Sequence, residues 1–314
     1  MQEDTIKILV IDEMHPSLMP MLQVKGFQAD YQPKMTRAEV LEKIPNYDGV
    51  IVRSKLKLDK EFFAHATKLK FVGRAGAGLD QIDLSEAEKR NIHLLNAPQG
   101  NRDAVGEHTV GMLLCLFNKL HLADRQVRNF IWDREANRGL ELYGKSVGIM
   151  GYGNMGKAFA RRLVGFGCQV LAYDTDAEKV DDFWVMKSNL SDIFREADIF
   201  SLHIPLTPEN KAIFTEEFFN QFKKEIFLVN TARGELLDFQ LLRKLLINGK
   251  VKGICLDVLE NEKLNTLTET QKEAFEYLIQ SEKVLFSPHV AGWTVESYIR
   301  INEVLVEKIA RLSL

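Results

Sequence analysis

The 314-residue sequence lacks a long hydrophobic run and an excess of basic residues, and we expect no secretory leader. Its longest uncharged apolar stretch, residues 109–118, is too short to cross a bilayer. With 41 Lys and Arg against 44 Asp and Glu, the formal net charge is −3, so the chain has no basic surplus to release counterions from nucleic-acid phosphates. The acidic start at residues 1–4 is unlike a signal peptide. These absences predict a cytoplasmic protein that binds neither nucleic acid nor a membrane.

Cysteine is also scarce. The three cysteines, Cys115, Cys168 and Cys255, lie far apart, and neither a CxxC pair nor a Cys/His ligand spacing occurs. The seven histidines do not cluster. We therefore expect three reduced thiols and no metal site.

What the sequence does contain is a regular alternation of short apolar runs with longer segments of helical periodicity. Most of the runs have no polar alternation, which indicates strands covered on both faces, as in a parallel sheet between helices. The length favours two domains. The predicted fold class is therefore α/β, doubly wound. The runs predicted as strands are residues 6–11, 49–52, 70–73, 146–150, 169–173, 199–202, 226–229, 251–255 and 284–286.

Two loops mark the predicted domain boundaries. Residues 96–100 precede a long helical pattern at about 101–129, and residues 287–292 precede a last helical pattern at 295–312. A chain that crosses between domains twice returns its end to its beginning. We therefore assign residues 1–98 and 288–314 to one domain and residues 99–287 to the other.

A glycine-rich turn stands between a predicted strand and a predicted helix. In GYGNMG, Gly151 allows a tight turn, Gly153 lets the backbone approach a pyrophosphate, and Gly156 permits close helix–strand packing. Asp174, 23 residues after Gly151, ends the next predicted strand, where a carboxylate accepts hydrogen bonds from a ribose 2′-hydroxyl and repels a 2′-phosphate. The pattern predicts an NAD site that disfavours NADP. The candidate cofactor residues of this turn are Gly151, Tyr152, Gly153, Asn154, Met155, Gly156 and Asp174.

Three further segments place reactive side chains after predicted strands, where doubly wound sheets bind ligands. Arg233 follows residues 226–229, several carboxylates follow residues 251–255, and His289 follows residues 284–286. An arginine, a carboxylate and a histidine at these strand ends could meet over a nicotinamide. From spacing alone, each of them is equally well explained as a surface or capping residue.

Together these segments resemble the D-isomer-specific 2-hydroxyacid dehydrogenase family, in family order and over nearly the whole chain. The resemblance implies a flavodoxin-like substrate domain split around an inserted Rossmann NAD domain. The matching segments are RAGAGLD (74–80), LNAP (95–98), EH (107–108), LYGK (142–145) with the glycine turn, HIPLTP (203–208), NTARG (230–234), LDV (256–258) and SPH (287–289).

The resemblance also implies catalytic roles. Arg233 would bind the substrate carboxylate and C2 oxygen, His289 would exchange a proton with the C2 oxygen, and Glu262 would pair with His289. Glu260 is a near neighbour, but Glu262 stands five residues after Asp257, as the family pattern has it. A lysine follows Glu262 where the family usually has proline, and the apolar residues of segment 264–283 suggest an added helical turn.

Further contacts with the cofactor are implied at other matching positions. His203 is a second strand-end histidine, and the family pattern gives it to cofactor support rather than to proton transfer. The remaining histidines, including His108, are interpreted as structural or exposed. The implied cofactor contacts are His203, Pro205, Thr207, Thr231, Ala232, Asp257 and Gly292.

The substrate prediction depends on two loops of the first domain. Backbone N–H groups at 76–78 are expected to form an anion nest, and Arg53 adds positive charge that suits a phosphorylated acid; the alternative is a solvated side chain. Within the family the chain most resembles the phosphoglycerate dehydrogenases of serine biosynthesis, in a short form without a regulatory domain. The alternatives are a glyoxylate or hydroxypyruvate reductase and a non-catalytic, NAD-sensing corepressor-like protein. The substrate-binding candidates are Arg53, Ser54, Gly76, Ala77 and Gly78.

A homodimer is the last expectation. The helical pattern at 101–129 is very apolar around residues 110–117, and Phe130, Ile131 and Trp132 follow it. A monomer would leave much of this surface exposed to water. The family resemblance implies a dimer built on this region; the alternative is that the helix is a buried core element of one subunit.

Overall fold

The computed structural model describes residues 5–312, which form two compact units. Of the described residues, one unit comprises 5–102 and 293–312, and the other comprises 103–292. The divisions fall after Arg102 and Gly292, a few residues beyond the predicted positions of 98 and 287. The first division lies inside the helix Pro98–Phe117, because the first turn of this helix packs within the first unit. A Cβ on Gly100 would stand 2.6 Å from Ile301 Cα.

Helices and strands alternate along the chain, as the apolar runs predict. The first part contains β1 (Lys7–Val10), α1 (Leu18–Val24), β2 (Gln28–Tyr31), α2 (Arg37–Lys43), β3 (Gly49–Val52), α3 (Lys60–His65), β4 (Phe71–Arg74), α4 (Leu84–Lys89) and β5 (His93–Asn96). The middle contains α5 (Pro98–Phe117), α6 (Leu120–Arg128), β6 (Ser146–Met150), α7 (Asn154–Leu163), β7 (Gln169–Tyr173), β8 (Met186–Lys187), α8 (Leu190–Glu196) and β9 (Ile199–Leu202). The last part contains α9 (Pro208–Ile213), α10 (Glu216–Asn220), β10 (Ile226–Asn230), α11 (Phe239–Ile247), β11 (Val251–Leu256), α12 (Glu269–Gln280), β12 (Val284–Phe286) and α13 (Val295–Ala310).

The first unit is built on a five-stranded parallel sheet in the order β2-β1-β3-β4-β5. This is the flavodoxin-like order. Alternate side chains of β1, β3 and β4 point to opposite faces: one set packs with α1 and α13, and the other with α2, α3 and α4. Both faces are therefore buried, which explains the continuous apolar runs.

The second unit holds a seven-stranded parallel sheet in the order β12-β11-β10-β9-β6-β7-β8. The strand order reverses between β6 and β9, the Rossmann arrangement, whose ligand site lies at the carboxyl ends beside that point. Helices α5 and α7 cover one face, and α8, α10, α11 and α12 cover the other. The predicted α/β class with two doubly wound sheets is confirmed.

The predictions missed three strands, β2, β5 and β8. Each is an edge strand of its sheet, and none of the three has a buried residue: the residues of β2 and β5 are exposed or half-buried, and those of β8 are exposed. An edge strand is covered less by its neighbours, so these three lack a continuous apolar run, whereas β12, at the opposite edge of the larger sheet, keeps one.

The long helix predicted at 101–129 is two helices. α5 ends at Phe117 and α6 begins at Leu120, because Lys119 takes a left-handed backbone conformation with φ of 51°. The added segment at 264–283 contains a full helix, α12, rather than one added turn; Thr268 and Gln271 form its capping box. Its Phe275 packs edge-to-face and tilted against Phe286 and Phe239.

The three cysteines carry free thiols. Within residues 5–312 no helix is both long and apolar enough to pass through a membrane. In the same part of the chain, no three His, Cys, Asp or Glu side chains lie close enough together to hold a metal ion.

Candidate active site

The glycine-rich turn connects β6 to α7 at the carboxyl edge of the seven-stranded sheet. Gly151 has a φ of +93°, a conformation that favours glycine, and a Cβ there would lie 2.6 Å from the His203 carbonyl oxygen. A Cβ on Gly156 would lie 2.0 Å from the Gly151 carbonyl oxygen, so the helix packs directly on the turn. A Cβ on Gly153 would meet nothing within 4 Å. Helix α7 starts at Asn154 without a side-chain cap, so its first N–H groups face this open space.

Asp174 lies beside this turn, just after β7. Its Oδ2 accepts the Tyr152 N–H at 2.7 Å, and its Oδ1 accepts the Asp176 N–H at 2.9 Å, while Lys179 Nζ lies 3.4 Å from Oδ1. Partial burial disfavours the charge, but these hydrogen bonds and Lys179 outweigh it and lower the pKa of Asp174. The carboxylate is therefore ionised and fixed in position. The side chain of Tyr152 is buried, and its hydroxyl donates to Asp182.

His203 follows β9, on the other side of the point where the strand order reverses. Its Nε2 lies 2.9 Å from Ser201 Oγ, its ring packs against Phe159 at 5.4 Å, and its buried Nδ1 has no partner among the described residues. Burial lowers the pKa of His203 to about 3. A ring that stays neutral throughout the physiological range is poorly suited to exchange protons with a substrate.

The other implied cofactor contacts line the same edge. Thr207 caps α9 by accepting the Asn210 N–H, and the carbonyl of Pro205 accepts from the Asn210 side chain. Thr231 Oγ1 lies 3.3 Å from the buried Thr109 Oγ1 of α5. Ala232, buried after β10, donates its N–H to Asn230.

Arg233 stands in a tight turn after β10. Asn230 holds this turn from both sides: its Oδ1 accepts the Ala232 N–H at 3.0 Å, and its Nδ2 donates to the Arg233 carbonyl at 2.9 Å. A Cβ on Gly234 would lie 1.9 Å from the Leu259 carbonyl oxygen, so the turn packs directly on the backbone of the segment after β11. Sequence reasoning did not single out Asn230 or Gly234 for this role.

Glu262 and His289 form a pair. Glu262 Oε1 lies 2.7 Å from His289 Nδ1, and each side chain is 49% exposed. The hydrogen bond to His289, together with the charges of His289 and Arg233, lowers the pKa of Glu262. The hydrogen bond to Glu262 raises the pKa of His289 above its ordinary value, against the opposing effects of burial and Arg233. Arg233 therefore acts electrostatically on both members of the pair.

Glu260 is engaged elsewhere. Its carboxylate accepts the Phe239 N–H at the start of α11 and the side-chain N–H of Gln271, both within 2.8 Å. The structure thus places Glu262, and not its neighbour, against His289.

The loop that carries His289 is held by Asp257, which is 1% exposed. The carbonyl oxygen of Asp257 accepts the His289 N–H at 2.7 Å, and its carboxylate accepts the N–H groups of Val290 and Ala291, each at 2.9 Å. His289 itself has a φ of +54°, a left-handed conformation that costs a non-glycine residue about 1–3 kcal/mol. Gly292 ends this loop. Asp257 is therefore directed at the backbone of the loop.

Arg53 lies in the first unit, after β3. Its guanidinium carbon is 3.4 Å from the centre of the Trp293 ring and 5.5 Å from that of Tyr298. Burial lowers the pKa of Arg53, although an arginine stays protonated at neutral pH. The backbone N–H groups of residues 53–55, including that of Ser54, all donate to Asp12 Oδ2 at 2.6–3.1 Å. The backbone N–H groups of this loop are therefore occupied by Asp12, and an anionic ligand here would be bound by the side chain of Arg53.

The predicted nest at residues 76–78 is only partly consistent with the structure. The Gly76 N–H donates to the Arg74 carbonyl, and the Gly76 carbonyl accepts the Ala97 N–H. The Ala77 carbonyl accepts from the Asn96 side chain. Gly76 has a φ of +144°, and the Arg74 side chain occupies the place where a Cβ would stand. The Gly76 N–H is therefore not available to the expected anion nest. Gly78 lies in the same loop.

Comparison with known proteins defines the class to which this fold and site belong. Residues 110–291, more than half of the chain, match the family model described as D-isomer specific 2-hydroxyacid dehydrogenase, NAD binding domain. The protein belongs to the D-isomer specific 2-hydroxyacid dehydrogenase family, and its cofactor is NAD. The predicted family and cofactor are confirmed.

Individual relatives cover the chain to different extents. A hydroxypyruvate reductase of Thermotoga maritima is 34% identical over 275 residues, 88% of each chain. A D-3-phosphoglycerate dehydrogenase of Methanocaldococcus jannaschii is 32% identical over 98% of this chain, which spans only 57% of that relative. Among solved structures, a D-lactate dehydrogenase of Aquifex aeolicus, complexed with NAD and lactic acid, superposes with a TM-score of 0.79 at 26% identity, covering 96% and 94% of the two chains.

The glycine turn fits this cofactor. The space that a Cβ on Gly153 would enter is open, and the uncapped start of α7 supplies N–H groups and a positive dipole end to a pyrophosphate. The ionised carboxylate of Asp174 is placed to accept ribose hydroxyl groups. A bound NAD would supply the nicotinamide that accepts or returns the hydride.

Proposed function

We propose that this protein is an NAD-dependent dehydrogenase that interconverts a D-2-hydroxy acid and the corresponding 2-oxo acid. The observation that carries the proposal is the pair of Glu262 and His289, with the charge of Arg233 acting on both, in the unit that matches the family's NAD-binding domain. A cation for a carboxylate and an imidazole with its own carboxylate partner are the groups that this reaction needs.

In this mechanism Arg233 binds the substrate carboxylate, since its planar fork of donors matches a carboxylate. In oxidation, Nε2 of His289 accepts the proton of the C2 hydroxyl; in reduction it returns that proton. Glu262 accepts the hydrogen of His289 Nδ1, which leaves Nε2 directed to the substrate, and its negative charge stabilises the imidazolium. His203 takes no part in this transfer, because burial keeps it neutral.

For the substrate, we propose 3-phosphoglycerate, oxidised to 3-phosphohydroxypyruvate. Several relatives that align over 95% or more of this chain are D-3-phosphoglycerate dehydrogenases. Arg53, stacked on the Trp293 ring with Tyr298 nearby, supports this choice, because a cation stacked on an aromatic ring keeps its N–H edge directed to an anion such as a phosphate.

Reduction of hydroxypyruvate is the second candidate. It is favoured by the Thermotoga maritima hydroxypyruvate reductase, whose length this chain matches far better than it matches that of the phosphoglycerate dehydrogenases. In that case Arg53 would have no phosphate to bind.

Initial rates with a panel of substrates test the proposal. NADH formation is measured with 3-phosphoglycerate, D-glycerate and D-lactate, and NADH consumption with hydroxypyruvate and glyoxylate. We expect kcat/KM for 3-phosphoglycerate to exceed that for D-glycerate by at least about tenfold, a 1.4 kcal/mol contribution from the phosphate. The reverse order, with rapid reduction of hydroxypyruvate, would favour the second candidate. NADH binding without turnover of any of these acids would overturn both and favour an NAD-sensing protein.

We also propose that the protein is a homodimer. Around α6 and the segment after it, Phe130 is fully exposed, Trp132 is 80% exposed, and Leu120, Val127 and Ile131 are about half exposed. Exposed apolar side chains of this kind favour burial against a second copy. Light scattering at micromolar concentration is expected to give twice the chain mass, and Phe130→Asp with Trp132→Asp is expected to reduce it to one. A wild-type mass of one chain would contradict the dimer.

A further inference from the structure

A chain of hydrogen bonds runs from α5 to the loop that carries His289. His108 Nε2 lies 2.9 Å from Ser287 Oγ, and Ser287 Oγ lies 2.6 Å from Asp257 Oδ1. Since a carboxylate only accepts, the Ser287 hydroxyl donates to Asp257, and its oxygen then accepts the Nε2 hydrogen of His108. Nε2 of His108 also lies 3.5 Å from Asp257 Oδ1, so the donor faces the carboxylate as well as the hydroxyl.

The far end of this chain shapes the backbone at His289. Asp257 accepts the N–H groups of three successive residues, His289, Val290 and Ala291, through its carbonyl and its two carboxylate oxygens. These three hydrogen bonds stabilise the left-handed conformation of His289. In that conformation the ring of His289 contacts Glu262. Without support, the buried carboxylate of Asp257 would be less firmly fixed, and the turn with it.

We propose that His108 and Ser287 are positioning residues for His289: they fix the carboxylate of Asp257 against the loop and thereby keep the imidazole in reach of Glu262 and of the substrate hydroxyl. The inference rests on the proposed function, in which His289 exchanges the substrate proton. It goes beyond the sequence interpretation, which left His108 as a structural or exposed histidine. The alternative is that the three side chains only pack the end of the sheet.

Kinetics of Ser287→Ala and His108→Gln test the first consequence. Both remove a link of the hydrogen-bond chain, and we expect kcat to fall about tenfold, since misplacement of a reacting group by about 1 Å costs up to about 100-fold. NADH affinity is expected to change less than about twofold, because the glycine turn and Asp174 are untouched. Ser287→Thr, which keeps the hydroxyl, is expected to recover most of the loss. The matched control is His65→Gln, an exposed histidine of α3 whose contact is with the carbonyl of Glu61.

Nuclear magnetic resonance of the histidine rings tests the second consequence and needs no turnover. With ¹⁵N-labelled histidine, the signals of His289 are identified by their loss in His289→Asn, and its pKa is followed by titration in the presence of the charges that face it, Glu262, Asp257 and Arg233. In Ser287→Ala we expect the pKa of His289 to fall towards its ordinary value, because the ring is less firmly held at Glu262. In His65→Gln we expect no change.

The outcomes separate the two proposals. If the wild-type protein turns over no 2-hydroxy or 2-oxo acid, the proposed function fails, while the titration still decides whether Ser287 positions His289. Unchanged His289 signals in both Ser287→Ala and His108→Gln would overturn the positioning role. So would a parallel loss of kcat, NADH affinity and thermal stability without recovery in Ser287→Thr, since packing alone would produce that pattern.

Discussion

Replacing Glu262 with Gln removes one negative charge from the imidazole of His289 while keeping an oxygen that accepts the Nδ1 hydrogen. In the wild-type protein Glu262 raises the pKa of His289. The variant should therefore have a lower pKa at His289. Oxidation needs the neutral ring and reduction needs the protonated one, so the variant should oxidise relatively better at acidic pH and reduce relatively worse at alkaline pH.

The size of the effect follows from the geometry. Two unit charges about 4 Å apart interact by about 1 kcal/mol in water and about 4 kcal/mol at an effective dielectric constant of 20. Both side chains are 49% exposed, so screening by solvent keeps the interaction near the lower value. About 1 kcal/mol changes the ratio of protonated to neutral imidazole about fivefold. We therefore expect the alkaline rate of reduction, relative to its acidic plateau, to fall up to about fivefold.

The assay is the pH dependence of kcat/KM between pH 5.5 and 9.5 in both directions. Glu260→Gln is the matched control, because the carboxylate of Glu260 contacts Phe239 and Gln271 rather than His289. Its profile should superpose on that of the wild type. Profiles of Glu262→Gln that do not move, or that move to higher pH, would refute the assignment of Glu262 as the partner of the proton acceptor.

Three further variants test other parts of the site. His289→Asn should lower kcat/KM by roughly 100-fold or more with nearly unchanged NADH affinity, whereas His203→Gln should chiefly weaken NADH binding in a fluorescence titration; the reverse pattern would contradict both roles. Asp174→Asn should lower the ratio of kcat/KM for NADH over NADPH about tenfold or more, since a hydrogen bond to a charged group contributes about 1.5–3 kcal/mol, and an unchanged ratio would show that Asp174 does not select the cofactor. Trp293→Ala should raise KM for 3-phosphoglycerate about twofold to thirtyfold, the range of a cation–π contact with Arg53, and leave D-glycerate unaffected; an equal loss with both would argue against a phosphate at Arg53.

The strands that could be predicted are those whose burial shows in the sequence as a continuous apolar run. Central strands such as β3, β6 and β9 are buried along their whole length, and the predicted bounds agree with the structure. The edge strands β2, β5 and β8 are not buried, and the sequence did not predict them. The break between α5 and α6 was missed for a related reason: the left-handed backbone at Lys119 is not signalled by a glycine or a proline.

The proximity of Glu262 and His289, the proposed catalytic pair, follows from topology. β11 and β12 are parallel neighbours, so the segments that follow them, with Glu262 and His289, begin at the same edge of the sheet although they lie 27 residues apart. β10 pairs with β11, which brings the turn of Arg233 to the same edge. The strand-end rule therefore identified segments that do lie at one edge of the sheet, but it could not choose between Glu260 and Glu262 as the partner of His289. That choice depends on α12, whose Gln271 engages Glu260.

The contacts that α5 makes with these loops could not be predicted from the sequence. His108 and Thr109 are adjacent in α5, and their side chains reach Ser287 and Thr231, which follow different strands. The periodicity of α5 shows which residues are apolar, but not which strand end a polar side chain of the helix meets, because that depends on how the helix crosses the sheet. A motif therefore locates the groups proposed to react, whereas the side chains that contact their loops become visible only once the packing of α5 is known.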